Sequence, residues 1–223
     1  MIDLPFVWLK PMTVKLAHLA LYMDEYFGYA PKLDLREIHF PNLQSLEFGN
    51  YAFSHDGSLT ESFIILTLQN LSLDGCPILF EALCYHPLDS EGHPQFMNAP
   101  PPIARGSPNR KMYKYACGWF QVFERSRTEF GALRMIHFRR SNWDDGDPFG
   151  DVASILECPN KYMAFDDGIG PSQWVEKIIS AEYAGIEAIP PPNCDEEDKA
   201  ALLALMKSIG QPIPADANTN SVS

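Results

Sequence analysis

Four short stretches of the chain carry side chains that could work together. They are His18, Ala20 and Tyr22; Ser45, Glu47 and Gly49; Asn70, Ser72 and Asp74; and Met135, His137 and Arg139. Within each stretch the residues are two apart, so on a β-strand they share one face. Four such strands laid side by side would present both charge signs, hydroxyls, amides and imidazoles on one surface. That is the chemistry of recognition rather than of a reaction. His18, Tyr22, Ser45, Glu47, Asn70, Ser72, Asp74, Met135, His137 and Arg139 are therefore the candidate partner-binding residues. The competing reading is an ordinary solvated sheet face covered by a loop.

Other reactive residue types do not assemble into a site. Asp144, Asp145 and Asp147 are acidic enough for a calcium loop, but they lack the ordered oxygen ligands and the distal bidentate carboxylate that calcium needs. Asp166 and Asp167 read as a turn. His55 and Asp56 could take part in acid–base chemistry, yet no nucleophile elbow, zinc-binding histidine pair or phosphate-binding loop accompanies them. No catalytic residue, metal or cofactor is expected, and the chain reads as a non-enzyme.

The elements that would position the candidate face are visible as a repeat. Leu16, Leu19 and Leu21 fall as L-x-x-L-x-L, as do Leu43, Leu46 and Phe48, then Leu68, Leu71 and Leu73, then Leu133, Ile136 and Phe138. The third copy continues to Cys76. Starts at 16, 43 and 68 give periods inside the roughly 20–29 residues of a leucine-rich repeat. The spacing predicts an α/β fold, an irregular leucine-rich-repeat solenoid with short parallel strands, helices and loops on the convex side, and added C-terminal helices.

Along the chain, residues 1–13 read as an extended lead-in and Val14–Met23 as the first strand. Leu33–Phe40 is a further candidate strand feeding the same core. A Pro-rich insertion at about 86–109 interrupts the array between the third and fourth copies. Tyr113, Ala116, Cys117, Phe120 and Phe123 form an apolar stripe at helical spacing, so Asn109 to about Phe130 is expected to be helical. Tyr162–Phe165 could be an edge strand, and Pro171 opens a helix to about Tyr183. The repeat domain is placed at 14–185, a Pro-rich linker at 186–194, a C-terminal helix at 195–210 and a disordered tail at 211–223. Asp195 can cap that last helix and Gly210 can close it.

Composition limits the partners. The 223 residues are 46% hydrophobic, which is enough for a sizeable core, and the formal net charge is −12. Such a chain is not expected to favour nucleic acid or an anionic membrane. Nine lysines and arginines do gather between Arg105 and Arg140 against two glutamates. They suit a helix face beside acidic loops or a patch for an acidic partner. Five cysteines without C-x-x-C spacing argue against a disulfide framework or zinc site. Cys76 and Cys117 sit at apolar-patterned positions and read as core thiols. Neither a secretory leader nor a membrane-length apolar run is evident. An intracellular location, cytoplasmic or nuclear, is expected.

Several ordered segments carry a family resemblance. FPNLQSLEFGNYAFSHD (Phe40–Asp56), LQNLSLDGCPIL (Leu68–Leu79), YKYACGWFQVFERSRTEFGALRMIHFRRSNWDDGDPF (Tyr113–Phe149) and KYMAFDDGIGPSQW (Lys161–Trp174) resemble the repeat region of filamentous-fungal F-box proteins. In that family an N-terminal F-box docks on the Skp adaptor of a cullin–RING ubiquitin ligase, and the leucine-rich repeats select the substrate. The resemblance, over roughly residues 14–175, implies a substrate-recognition role with a protein partner. Only 13 residues precede Val14 here, so an F-box is not expected within this sequence. A Skp-type adaptor would be a partner only through an F-box upstream. The alternatives are a truncated structural remnant without adaptor function and, well behind it, a small-molecule enzyme using the acidic loops.

Overall fold

The computed structural model describes residues 4–35, 38–54, 67–84, 86–94, 111–139, 161–166 and 192–213. Its centre is a four-stranded, wholly parallel sheet of β1 (His18–Phe27), β2 (Ser45–Tyr51), β3 (Asn70–Asp74) and β6 (Met135–Arg139), in the order β1-β2-β3-β6. The repeat spacing becomes the register of this sheet. Leu19 pairs with Leu46, Leu46 with Leu71 and Leu71 with Ile136; Leu21, Phe48, Leu73 and Phe138 form the next row. Pairing copy to copy puts equivalent apolar side chains on the same face, which is the face that can be buried.

That face is the main core. Leu43, Leu46, Phe48, Leu68 and Leu71 are almost wholly enclosed. An aromatic chain crosses the core from Phe27 through Phe48, Tyr51 and Phe53 to Trp119, which stacks on Phe123 at 5.5 Å between centroids. Cys76 and Cys117 are buried thiols. Burial pushes the Cys76 thiol up to about 12, although nearby backbone groups pull it down.

A second sheet holds β4 (Ile78–Cys84) between β5 (Lys111–Lys114) and β7 (Tyr162–Asp166). β4 runs antiparallel to β5 and parallel to β7. The strand expected at Tyr162–Phe165 is therefore present, and it lies at an edge. α1 (Trp119–Glu129) and α2 (Asp195–Ile209) pack on each other, and Leu202, Leu205 and Met206 of α2 enter the main core. The fold is mixed α/β with a parallel sheet. Among the described residues no helix is long and apolar enough to cross a membrane.

Four local expectations are corrected. Residues 4–12 are not extended: Leu4–Leu9 forms a π-helical turn and Lys10–Met12 a 3-10 turn. Pro5 and Pro11 stand at early turn positions, where their fixed φ and missing N–H are tolerated. The first strand consequently begins at His18 rather than Val14 and runs on to Phe27. Residues 33–35 and 38–40 are not a strand, although Leu33, Leu35, Ile38 and Phe40 do feed the core. The helix expected from Asn109 begins only at Trp119. Lys111–Lys114 pairs with β4 instead, and Gly118, with φ −127° and ψ 161°, is the extended N-cap. The true buried helix face is Trp119, Val122, Phe123 and Ser126.

The start of the Pro-rich insertion is a fastened turn. The Asp89 carboxylate accepts the N–H groups of Glu91 and His93, each at 2.9 Å, and pairs with Lys32. The expectations at residues 55–66, 141–151 and 171–183 lie outside the described residues.

Candidate functional site

The opposite face of the parallel sheet gathers all the candidate residues. Register pairing makes three rows: His18, Ser45, Asn70 and Met135; Ala20, Glu47, Ser72 and His137; and Tyr22, Gly49, Asp74 and Arg139. Depth varies along the rows as well as between them. His18, Ala20 and Met135 are exposed, with Met135 at 41%, whereas Ser72 and Asp74 are buried at 5% and 1%. The face is therefore open at His18, Ala20 and Met135 and enclosed at β3, where Ser72 and Asp74 lie.

Charge gathers at one end. Glu47 Oε2 accepts from the Tyr22 hydroxyl at 3.5 Å and lies 4.0 Å from an Arg139 nitrogen. Both contacts are long, and such part-exposed pairs contribute at most about 1 kcal/mol. Glu47 and Arg139 remain able to exchange each other for a ligand group. Tyr22 lies across β2 only because residue 49 is glycine; a Cβ there would collide with the Tyr22 ring. Burial raises the Tyr22 hydroxyl to about 12, assisted by the Asp74 and Glu47 carboxylates. It is a neutral donor at pH 7. Burial and then Arg139 pull the His137 imidazole below its ordinary value, opposed by Glu47. His137 is thus a neutral ring with one donor and one acceptor nitrogen.

Ser72 stands between Glu47 and His137 in the middle row. Its hydroxyl is buried and has no hydrogen-bond partner among the described residues. It is not bonded to His137, so the row lacks the nucleophile–base contact of covalent catalysis. Enclosed as it is, the Ser72 hydroxyl is out of a partner's reach, and its unmet hydrogen bond is a local cost of the packed sheet.

A second polar constellation involves residues that sequence reasoning did not single out. Asp198, fully buried on α2, accepts the Phe120 N–H at 2.9 Å and the Tyr162 hydroxyl at 2.8 Å. The Tyr162 oxygen in turn accepts the Trp119 N–H at 3.0 Å. Lys161 lies 3.5 Å from Asp198 and 2.6 Å from Asp195. Burial, with Asp198 adding to it, pushes the Tyr162 hydroxyl far up, against the Trp119 N–H. A Lys–Tyr–Asp cluster resembles acid–base machinery, but these contacts go to the first turn of α1. They cap in trans a helix whose own N-cap, Gly118, has no side chain. Their sequence separations of 36 to 78 residues explain why spacing did not expose them.

A cleft of about 310 Å³ between α1 and α2 is lined by Phe120, Glu124, Arg127, Glu197, Ala200, Ala201 and Ala204. Three alanines give it little chemical character. Among the described residues no His/Cys/Asp/Glu group of metal-binding arrangement occurs. Asp144, Asp145, Asp147, His55 and Asp56 lie outside the described residues. In the comparisons with known proteins, no family model, curated protein or solved structure matches this chain.

Proposed function

We propose that this chain is a protein-recognition module of the leucine-rich-repeat type, similar to the substrate-selecting part of a fungal F-box protein. It is read as a non-enzyme. The carrying observation is the register of β1, β2, β3 and β6, which brings ten separately chosen polar or accessible residues to one face. The solenoid reading also draws on the repeat of 25 to 27 residues across the first three copies. On this reading the face is the concave surface, and the partner is a protein segment offering hydrogen-bonding groups to His137 and charge to Glu47 and Arg139, which are part-exposed. A Skp-type adaptor belongs to the proposal only through an F-box module, and its role would be separate from this face.

The test is site-specific photo-cross-linking. A photoreactive amino acid replaces Met135 on the exposed rim, or Glu196 on α2 as a control, in cells making the chain. The proposal expects a discrete protein adduct from position 135 that position 196 does not give. Identical adduct patterns from both positions would contradict it.

A further inference from the structure

The two edges of the parallel sheet are finished differently. At β6 the Gln211 side chain stands in for a peptide unit: its Oε1 accepts the Ile136 N–H and its Nε2 donates to the Ile136 carbonyl, each at 2.9 Å. That amide fills the outward hydrogen-bonding position which Leu71 offers to β6 and Leu46 offers to β3. An open strand edge is a template for pairing, and here it is blocked.

β1, at the other end, offers the complementary half of the ladder. The N–H of Ser45 bonds to Ala17 O, that of Asn70 to Gln44 O and that of Met135 to Gln69 O. His18 holds the equivalent place in β1, so its N–H points away from the sheet, and alternation aims the Ala20 N–H and C=O the same way. No described residue pairs with either backbone group, and both residues are exposed.

Two groups of exposed residues precede or belong to this strand. Val7, Trp8, Met12 and Val14, just ahead of β1, are 53–67% exposed and make up most of the large exposed apolar side chains among the described residues. Asp24 and Glu25 are exposed within β1, a strand that contains no lysine or arginine. The ladder calls for an extended backbone, and the acidic pair within the strand for a basic group.

We propose that the outer edge of β1 takes up an extended, lysine- or arginine-bearing segment of another protein as a fifth, parallel strand. The edge uses the outward backbone groups of His18 and Ala20, whereas the polar face uses side chains, so the two readings are tested by different variants.

The test uses the full chain and a synthetic peptide of residues Pro41–Tyr51 carrying Glu47→Lys, a sequence that pairs in parallel with the inner edge of β1 in the folded chain, so that the outward Ala20 N–H reports whether it binds at the outer edge instead. The expected result is saturable binding that N-methylation of alternate peptide nitrogens abolishes. In the protein, Ala20→Pro removes only an outward N–H, which an edge strand tolerates, and should weaken binding about tenfold or more. Should that variant fail to fold, Asp24→Lys with Glu25→Lys serves instead and should reverse preference toward the peptide that retains Glu47. Failure of both peptides to bind, equal binding of the N-methylated peptide, or indifference to these substitutions would overturn the proposal. Self-association of the chain that Ala20→Pro abolishes would also overturn it, assigning the edge to a second copy.

Discussion

Leu71 pairs with Leu46 on one side and Ile136 on the other, with 1% of its surface exposed. Leu71→Ala removes buried methyl groups from the middle of the stack and should cost about 2–5 kcal/mol. Equilibrium urea unfolding measures this directly; a cost below about 1 kcal/mol would contradict the burial of the site. The position was legible because L-x-x-L-x-L states both the strand and its phase. Asp198 was not legible, since its partners Phe120 and Tyr162 come from other elements. Asp198→Ala leaves the Phe120 N–H and Tyr162 hydroxyl without their acceptor and breaks a buried contact with Lys161. A loss of about 3 kcal/mol is expected. Asp198→Asn keeps an acceptor oxygen and should lose less, so equal losses from the two variants would contradict the capping role.

At the scale of elements, Gln211 tests how the sheet ends. Gln211→Ala removes two hydrogen bonds to Ile136 and should cost about 1–3 kcal/mol. It should also accelerate hydrogen exchange at the Ile136 amide more than at the Leu71 amide, which lies inside the sheet. Uniform acceleration at both would mean that the residue acts on global stability alone. Nothing in the sequence marked Gln211, which falls in the stretch read as a tail, because its partner is 75 residues away. The parallel strands were legible for the opposite reason: each repeat contains its own strand signal. α2 was legible from its acidic first turn, its apolar stripe and Gly210, which adopts the left-handed conformation at φ 71°. α1 was read too long because Tyr113, Ala116 and Cys117 continue its helical period by coincidence, while pairing with β4 decides the conformation of Lys111–Lys114.

Across the whole molecule, the second sheet carries a pH signature. Glu81, at the centre of β4, is 1% exposed, and its Oε2 has no partner among the described residues. Burial raises its carboxyl above the ordinary value, against the pull of Lys114 in the neighbouring strand. A raised carboxyl contributes stability that is fully present below its unfolded value and is lost as pH rises through its folded value. Glu81→Gln should therefore raise Tm at pH 7 and make little difference at pH 4. A larger gain at pH 4 would show that Glu81 is held as a stabilised carboxylate. The core of the parallel sheet and the membership of its polar face were legible in the sequence. The depth of that face was not: Ser72 and Asp74 alternate like their exposed neighbours, and only the assembled sheet encloses them. The most direct test of recognition by this face is the affinity of the partner cross-linked at position 135 for the Glu47→Lys, Arg139→Glu double variant. Since both charges are part-exposed and weakly paired, Tm should stay within about 2 °C of the unmodified protein while affinity falls about tenfold or more. Unchanged affinity, or a fall in Tm that accounts for the lost binding, would contradict the assignment.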